Sequence, residues 1–174
     1  DTRINYLYNS IDVYMNLASN EGFGLGSAEA LMTETPIVVN VTGGLQDQCG
    51  FKGKDGKYLT ADDYVELGSN HRGEYKEHGE WVKPVFPSNI SCQGSPQTPY
   101  IFDDRCQYED VGEALRYWYD MDKEERIKCA KLGKEFALSD GKMTGKHLSD
   151  SFIEAIDTTF EKWKPKPRYI MEVI

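Results

Sequence analysis

The stretch Ser19–Val39, SNEGFGLGSAEALMTETPIVV, decides how this chain folds. Gly22, Gly24 and Gly26 stand close together with Phe23 and Leu25 between them, and two glutamates, Glu21 and Glu29, flank the passage. Behind it, Ala28 to Thr33 reads as a helix that begins near Gly24, and Pro36 ends it because the residue before a proline is pushed out of the helical region. Ile37 to Val41 then reads as a buried strand, β-branched and apolar on both faces. Upstream, RINYLYNSIDVYMNLAS begins as a short helix with Leu7 and Ile11 on one face and continues as a strand near Val13 to Leu17. Strand, glycine-rich loop, helix and strand make a parallel βαβ unit, so the class is α/β.

Working outward, the 174 residues are expected to form a single domain, 1–174, around one core. Charged residues make up 28% and the net charge is -9, with no basic stripe, which excludes a nucleic-acid face. No apolar run approaches the roughly 20 residues of a membrane span, and no signal-peptide pattern opens the sequence. Cys49, Cys92, Cys106 and Cys129 are scattered without a CxxC pair, so free thiols and a reduced, cytoplasmic setting are expected. On that reading the sequons beginning at Asn40 and Asn89 are accidental. The opening Asp1 suggests a processed product or a piece of a longer chain.

From about Leu45 to Pro99 the character changes to glycine, proline and polar runs. This is a long irregular excursion, bounded as an insertion at 48–99, with one short helix in TADDYVELGS and one short strand in WVKPVF. PYIF then returns as a strand. YEDVGEALRYWYDM and KEERIKCAKLGKEFALS follow as helices, the second capped by Asp122. A final amphipathic helix sets Phe152, Ile156 and Phe160 four residues apart on one face, and the tail from Lys164 is extended.

A strand that passes through glycines into a helix presents backbone amides and a helix dipole to an anion. The pattern is neither G-x-x-x-x-G-K-[ST] nor G-x-G-x-x-G. Glu29 has two readings from spacing alone: a ligand carboxylate, or the N3 member of a capping box with Gly26 as N-cap. Glu21, at the carboxyl end of a strand, sits where open α/β sheets bind ligands. His71, His78 and Cys92 fit no common zinc spacing and read as surface residues, and the DMD at Asp120–Asp122 reads as a cap rather than a metal motif.

The spacing of Glu21 and Glu29, together with Gly22-Phe23-Gly24-Leu25, Glu29-Ala30, Pro36-Ile37-Val38-Val39 and Gly43-Gly44, resembles the E-x7-E signature of retaining nucleotide-sugar glycosyltransferases of the GT-B fold. The resemblance covers about residues 4 to 47 closely and the helices from Tyr108 to Trp163 more loosely. It implies a partial Rossmann-like parallel sheet flanked by helices, the second domain of a GT-B fold, with the long insertion within it. It implies that Glu29 holds the ribose hydroxyls of the nucleotide. Amides around Gly22, Phe23, Gly24 and Leu25 would face the diphosphate and donor sugar, and Glu21 would be the catalytic carboxylate near the anomeric carbon. No metal and no cofactor are implied; the donor substrate is a nucleotide-diphosphate sugar, and the acceptor is not specified.

Two positions depart from that pattern: Glu34 stands where a glycine usually ends the helix, and Leu45-Gln46-Asp47 follows Gly43-Gly44 in place of a Pro-Glu pair. A glycogen-synthase- or phosphorylase-like enzyme sharing the same scaffold is a nearer option, and no lysine has a pyridoxal-phosphate context, which disfavours its phosphorylase branch. The chain would be the carboxyl-terminal, donor-binding portion of such an enzyme, a poor catalyst without the missing amino-terminal domain. The alternative is a non-catalytic scaffold or dimerisation domain derived from a glycosyltransferase, which binds partners or forms a homodimer through the insertion and the terminal helix. Trp81, Phe86 and Tyr100 either stack on a sugar or anchor the insertion.

Overall fold

The structure, a computed structural model, describes residues 2–166. It comprises two compact units, one ending at Lys142 and one beginning at Met143. Residues 167–174 of the tail expected to be extended lie outside the described residues.

The first unit is built on a three-stranded sheet, β1 (Tyr14–Asn16), β2 (Ile37–Asn40) and β3 (Val82–Val85), in the order β1-β2-β3 with both pairings parallel. Tyr14 lies opposite Ile37, and Ile37 opposite Val82. All four residues of β2 are buried, as the apolar run from Ile37 requires for a strand covered on both faces. Between β1 and β2 runs α2 (Leu25–Met32), preceded by α1 (Thr2–Tyr8). α2 packs on α5 (Lys123–Leu138), and Gly133 permits the approach. A Cβ there would lie 2.7 Å from the Trp81 Cβ and 2.9 Å from the Leu31 Cδ2. α4 (Tyr108–Asp120) lays Ala114 and the fully buried Trp118 on Val38 and Val85. Asp122 caps α5, its carboxylate accepting from the Glu124 and Glu125 amides, as the sequence predicts.

The third sheet strand comes from inside the stretch read as an excursion. WVKPVF supplies β3, with Val82 and Val85 buried, and Trp81 immediately before it stacks on Phe136 at 4.5 Å. Pro84 has no amide hydrogen for a further ladder, and β3 accordingly stands at the sheet's edge among the described strands. The strand around PYIF exists, but outside the sheet. It is part of β5 (Thr98–Arg105), which pairs antiparallel with β4 (Asn89–Ser95) in a largely exposed hairpin. The helix read in TADDYVELGS is α3 (Ala61–Leu67), closed by a capping box between Thr60 and Asp63.

The second unit is α6 (Gly145–Lys162), capped by Thr144. None of its residues is buried; Phe152, Ile156 and Phe160 are 63%, 49% and 81% exposed. Among the described residues, no helix is long and apolar enough to cross a membrane.

Candidate functional site

The candidate site lies at the carboxyl ends of β1 and β2, where Ser19–Gly24 and Thr42–Gly44 come together. The contact is backbone on backbone. The Gly44 amide donates to the Glu21 carbonyl at 3.0 Å. A Cβ on Gly43 would stand 2.0 Å from that same carbonyl oxygen, and one on Gly44 would stand 2.3 Å from the Gly22 carbonyl oxygen. Gly43 also holds φ +46, in the left-handed region that favours glycine. Glycine is therefore needed at Gly43 and Gly44, where a side chain would part the two segments, whereas a Cβ on Gly22 would meet nothing within 4 Å.

From below, the loop is held by the 3₁₀ turn Gly43–Cys49. The buried Gln48 donates through Nε2 to the carbonyls of Phe23 and Gly24, and its backbone carbonyl accepts from the Trp81 indole at 3.0 Å. From the side, the hairpin is tied in by Asp104. Its amide donates to the Ser19 carbonyl at 2.9 Å, and its carboxylate accepts from the Thr42 hydroxyl at 2.7 Å. Asn40 completes the joint, its Nδ2 donating to the carbonyls of Ala18 and Asp104. That buried role takes Asn40 out of reach as a sequon acceptor.

Gly24 turns the chain into α2 at φ +86. As the N-cap it has no side chain to offer, and no side-chain oxygen caps the helix. The capping-box alternative for Glu29 is thus not realised: the N-cap is Gly24, not Gly26, and the Glu29 side chain is turned outward. Phe23 and Leu25 are 42% and 70% exposed, so the loop carries apolar side chains toward solvent while its carbonyls are tied inward. Glu21 is half-buried, and one of its carboxylate oxygens accepts from the Gly22 amide at 3.1 Å. Ser27 Oγ in the first turn of α2 and Gln48 Oε1 are buried without a protein partner.

Two tyrosines that sequence reasoning passed over complete the site. The rings of Tyr8 and Tyr14 meet at 5.8 Å, and both hydroxyls reach the first turn of α2 at Gly26. Burial and then a side-chain hydrogen bond to Glu29 push the Tyr8 phenol up to about 12. Burial, followed by the charges of Glu29 and Glu21, raises that of Tyr14. The charges of both candidate carboxylates thus act on Tyr14.

The remaining candidates are elsewhere. His71 lies in the 3₁₀ turn Asn70–Arg72, His78 Nδ1 meets the Gly79 carbonyl, and Cys92 is exposed on β4. Among the described residues no three His, Cys, Asp or Glu side chains group as metal ligands, and the four cysteines are free. Trp81 and Phe86 are anchors, Phe86 lying 5.9 Å from Phe51, whereas Tyr100 is 80% exposed on the hairpin. No family model matches the chain, and no curated protein matches it.

Proposed function

We propose that the chain is the donor-binding, carboxyl-terminal portion of a retaining glycosyltransferase that moves a hexose from a nucleotide-diphosphate sugar to an acceptor. The observation that carries this reading is the glycine loop. Gly22–Gly24 and Gly43–Gly44 are packed backbone to backbone at the carboxyl edge of a parallel sheet, leading into a helix whose N-terminus no side chain caps. The uncapped first turn of α2 and the positive end of its dipole suit a diphosphate. Glu29 is exposed one turn further on, where an ionised carboxylate can accept from two ribose hydroxyls.

In this reading the bond between the anomeric carbon and the diphosphate oxygen breaks, and an acceptor oxygen bonds the same face of that carbon. The acceptor's proton passes to the departing phosphate oxygen. Glu21 stabilises positive charge at the anomeric centre. Amides and cationic side chains, rather than a metal, neutralise the leaving group.

Calorimetric titration with UDP, GDP, ADP and their sugar conjugates tests the reading. One nucleotide is expected to bind, with affinity lowered on the order of tenfold or more in Glu29→Ala, the scale of a lost charge-assisted hydrogen bond. Unchanged affinity in that variant would remove Glu29 from the site. In the complete enzyme Glu21→Ala is expected to abolish transfer with the fold intact; normal turnover would end the mechanistic claim.

A second reading, a non-catalytic scaffold that pairs with its own copy, is favoured by α6, which exposes Leu148, Phe152, Ile153, Ile156 and Phe160. Sedimentation distinguishes the two. A dimer that Phe152→Asp dissolves, in a chain that binds no nucleotide, would support the scaffold.

A further inference from the structure

We propose that the cleft at the carboxyl-terminal end of α5 binds an extended organic cation, one that carries alkylammonium groups on an apolar stem. The inference goes beyond the donor-site reading and does not depend on it.

The cleft has a volume of about 420 Å³, a size that suits a small ligand. Its floor is aromatic. Trp81 stacks on Phe136 at 4.5 Å, and Tyr58 meets the two rings edge-on at 6.2 and 5.1 Å. Leu132, 39% exposed, extends that floor with an aliphatic surface on which a methylene stem can lie. The rim is acidic: Glu77, Glu80, Glu135 and Asp140 stand around the cleft against one lysine, Lys52.

Most of that negative charge is left unneutralised. Lys52 Nζ pairs with Glu77 Oε1 at 2.8 Å. Among the described residues no salt bridge engages Glu80, Glu135 or Asp140. The carboxyl end of α5 adds the negative pole of its dipole, and no basic residue stands in its last turn. His78 also lines the cleft, and burial pushes its imidazole below the ordinary range, so it brings no positive charge at neutral pH.

Lys52 shows what such a cleft accepts. Its ammonium lies 5.9 Å from the Tyr58 ring centroid, within cation–π reach, while it bonds a rim carboxylate. A ligand ammonium brings the same chemistry, three donors and no acceptor, to the carboxylates that Lys52 leaves unpaired. The rim is spread rather than convergent: among the described residues no three His, Cys, Asp or Glu side chains group as metal ligands. A compact inorganic ion would find no shell of oxygens here, whereas ammonium groups spaced along one stem can each reach a separate carboxylate.

The test is calorimetric titration of the full chain with spermidine, a dilysine peptide and magnesium at one ionic strength. The proteins are wild type, Glu80→Gln/Glu135→Gln and Glu154→Gln/Asp157→Asn, the last removing the same charge from α6. Glu80 and Glu135 are exposed, so the cleft variant is expected to fold as wild type does. Spermidine or the dilysine peptide is expected to bind wild type and the α6 variant alike. Binding to the cleft variant should be about 3- to 30-fold weaker, the scale of two exposed ion pairs. Magnesium is expected to displace neither probe. Within that result, tighter spermidine names a free polyamine as the source of the cation, and a tighter dilysine peptide names a basic protein segment.

The proposal is overturned if neither probe binds, or if the cleft variant binds as tightly as wild type. Equal weakening in both variants, or displacement by magnesium at matched ionic strength, would overturn it too, by showing only general attraction to an acidic chain.

Discussion

At the residue scale, the glycine loop turns on contacts that are absolute in one position and slack in another. Gly43 and Gly56 both hold positive φ, but a Cβ on Gly43 meets the Glu21 carbonyl, whereas one on Gly56 meets open space. Gly56→Ala should cost only backbone strain, about 1 kcal/mol. Gly43→Ala adds a backbone clash and should cost about 2 kcal/mol or more as the loop parts. Urea denaturation of the two variants measures the difference; equal values would mean the loops are not pressed together.

Glu34 shows the converse, since it takes φ 57 itself where a glycine would do so more easily. It carries an ion pair to Lys134 at 2.8 Å, and the hydrogen bond from Lys134 is the main cause of its lowered carboxyl pKa. Relief of the left-handed strain is worth about 1 kcal/mol or more, and an exposed pair of this kind about 0–1 kcal/mol. Glu34→Gly is therefore expected to leave stability unchanged or raise it by up to about 1 kcal/mol in the same assay. The departure from glycine was visible in the sequence, but its resolution was not, because Lys134 is brought to Glu34 by the packing of α5 on α2.

At the scale of elements, the sequence revealed the helices and β2 more readily than the sheet's third member. β2 announces itself by a continuous apolar run, and α5 by the aspartate before it. β3 is short and broken by Pro84, so its place in the sheet is fixed by Trp81, Val82 and Val85 finding cover against Phe136, Trp118 and Val38. Trp118→Ala should cost about 3–5 kcal/mol by urea unfolding, because a fully buried indole leaves a cavity between α4 and the sheet.

The hairpin behaves differently. Phe102 is 63% exposed, and Phe102→Ala should change stability by no more than about 0.5 kcal/mol. Asp104→Ala should cost about 1–3 kcal/mol, since it strips the buried Thr42 hydroxyl of its acceptor, although the backbone bond to Ser19 is kept. Similar costs for the two would mean the hairpin is held by its apolar side chains instead.

At the scale of the whole molecule, Asp47 sets a pH dependence within a strongly acidic chain. Half-buried in the 3₁₀ turn behind the glycine loop, its carboxyl is raised by burial to about 6. The folded protein holds this proton more tightly than the unfolded chain does. Its contribution is therefore fully favourable below the ordinary carboxylate range and is lost as pH rises through about 6. Asp47→Asn is expected to flatten that decline and to be more stable than wild type at pH 7 by about 1–2 kcal/mol, after allowance for partial exposure. The advantage should vanish near pH 4. Parallel stability profiles for the two proteins would show that Asp47 is not the group responsible.

Local physics sufficed for what the sequence by itself determined. The apolar run of β2, the proline that ends the preceding helix, the glycines that bring backbone close to backbone and the Asp122 cap are all readable within a few residues. So was the candidate pair Glu21 and Glu29, because carboxylates on either side of a glycine turn are near each other through the chain itself. Tertiary structure alone decided the recruitment of β3 and the exclusion of the hairpin from the sheet. It also decided the anchoring of the loop by Gln48 and Asp104, and the convergence of the Tyr8 and Tyr14 hydroxyls on Gly26. Each of these is a contact between segments distant in the chain, chosen by which surfaces can be buried together, and local propensity carries no record of that choice.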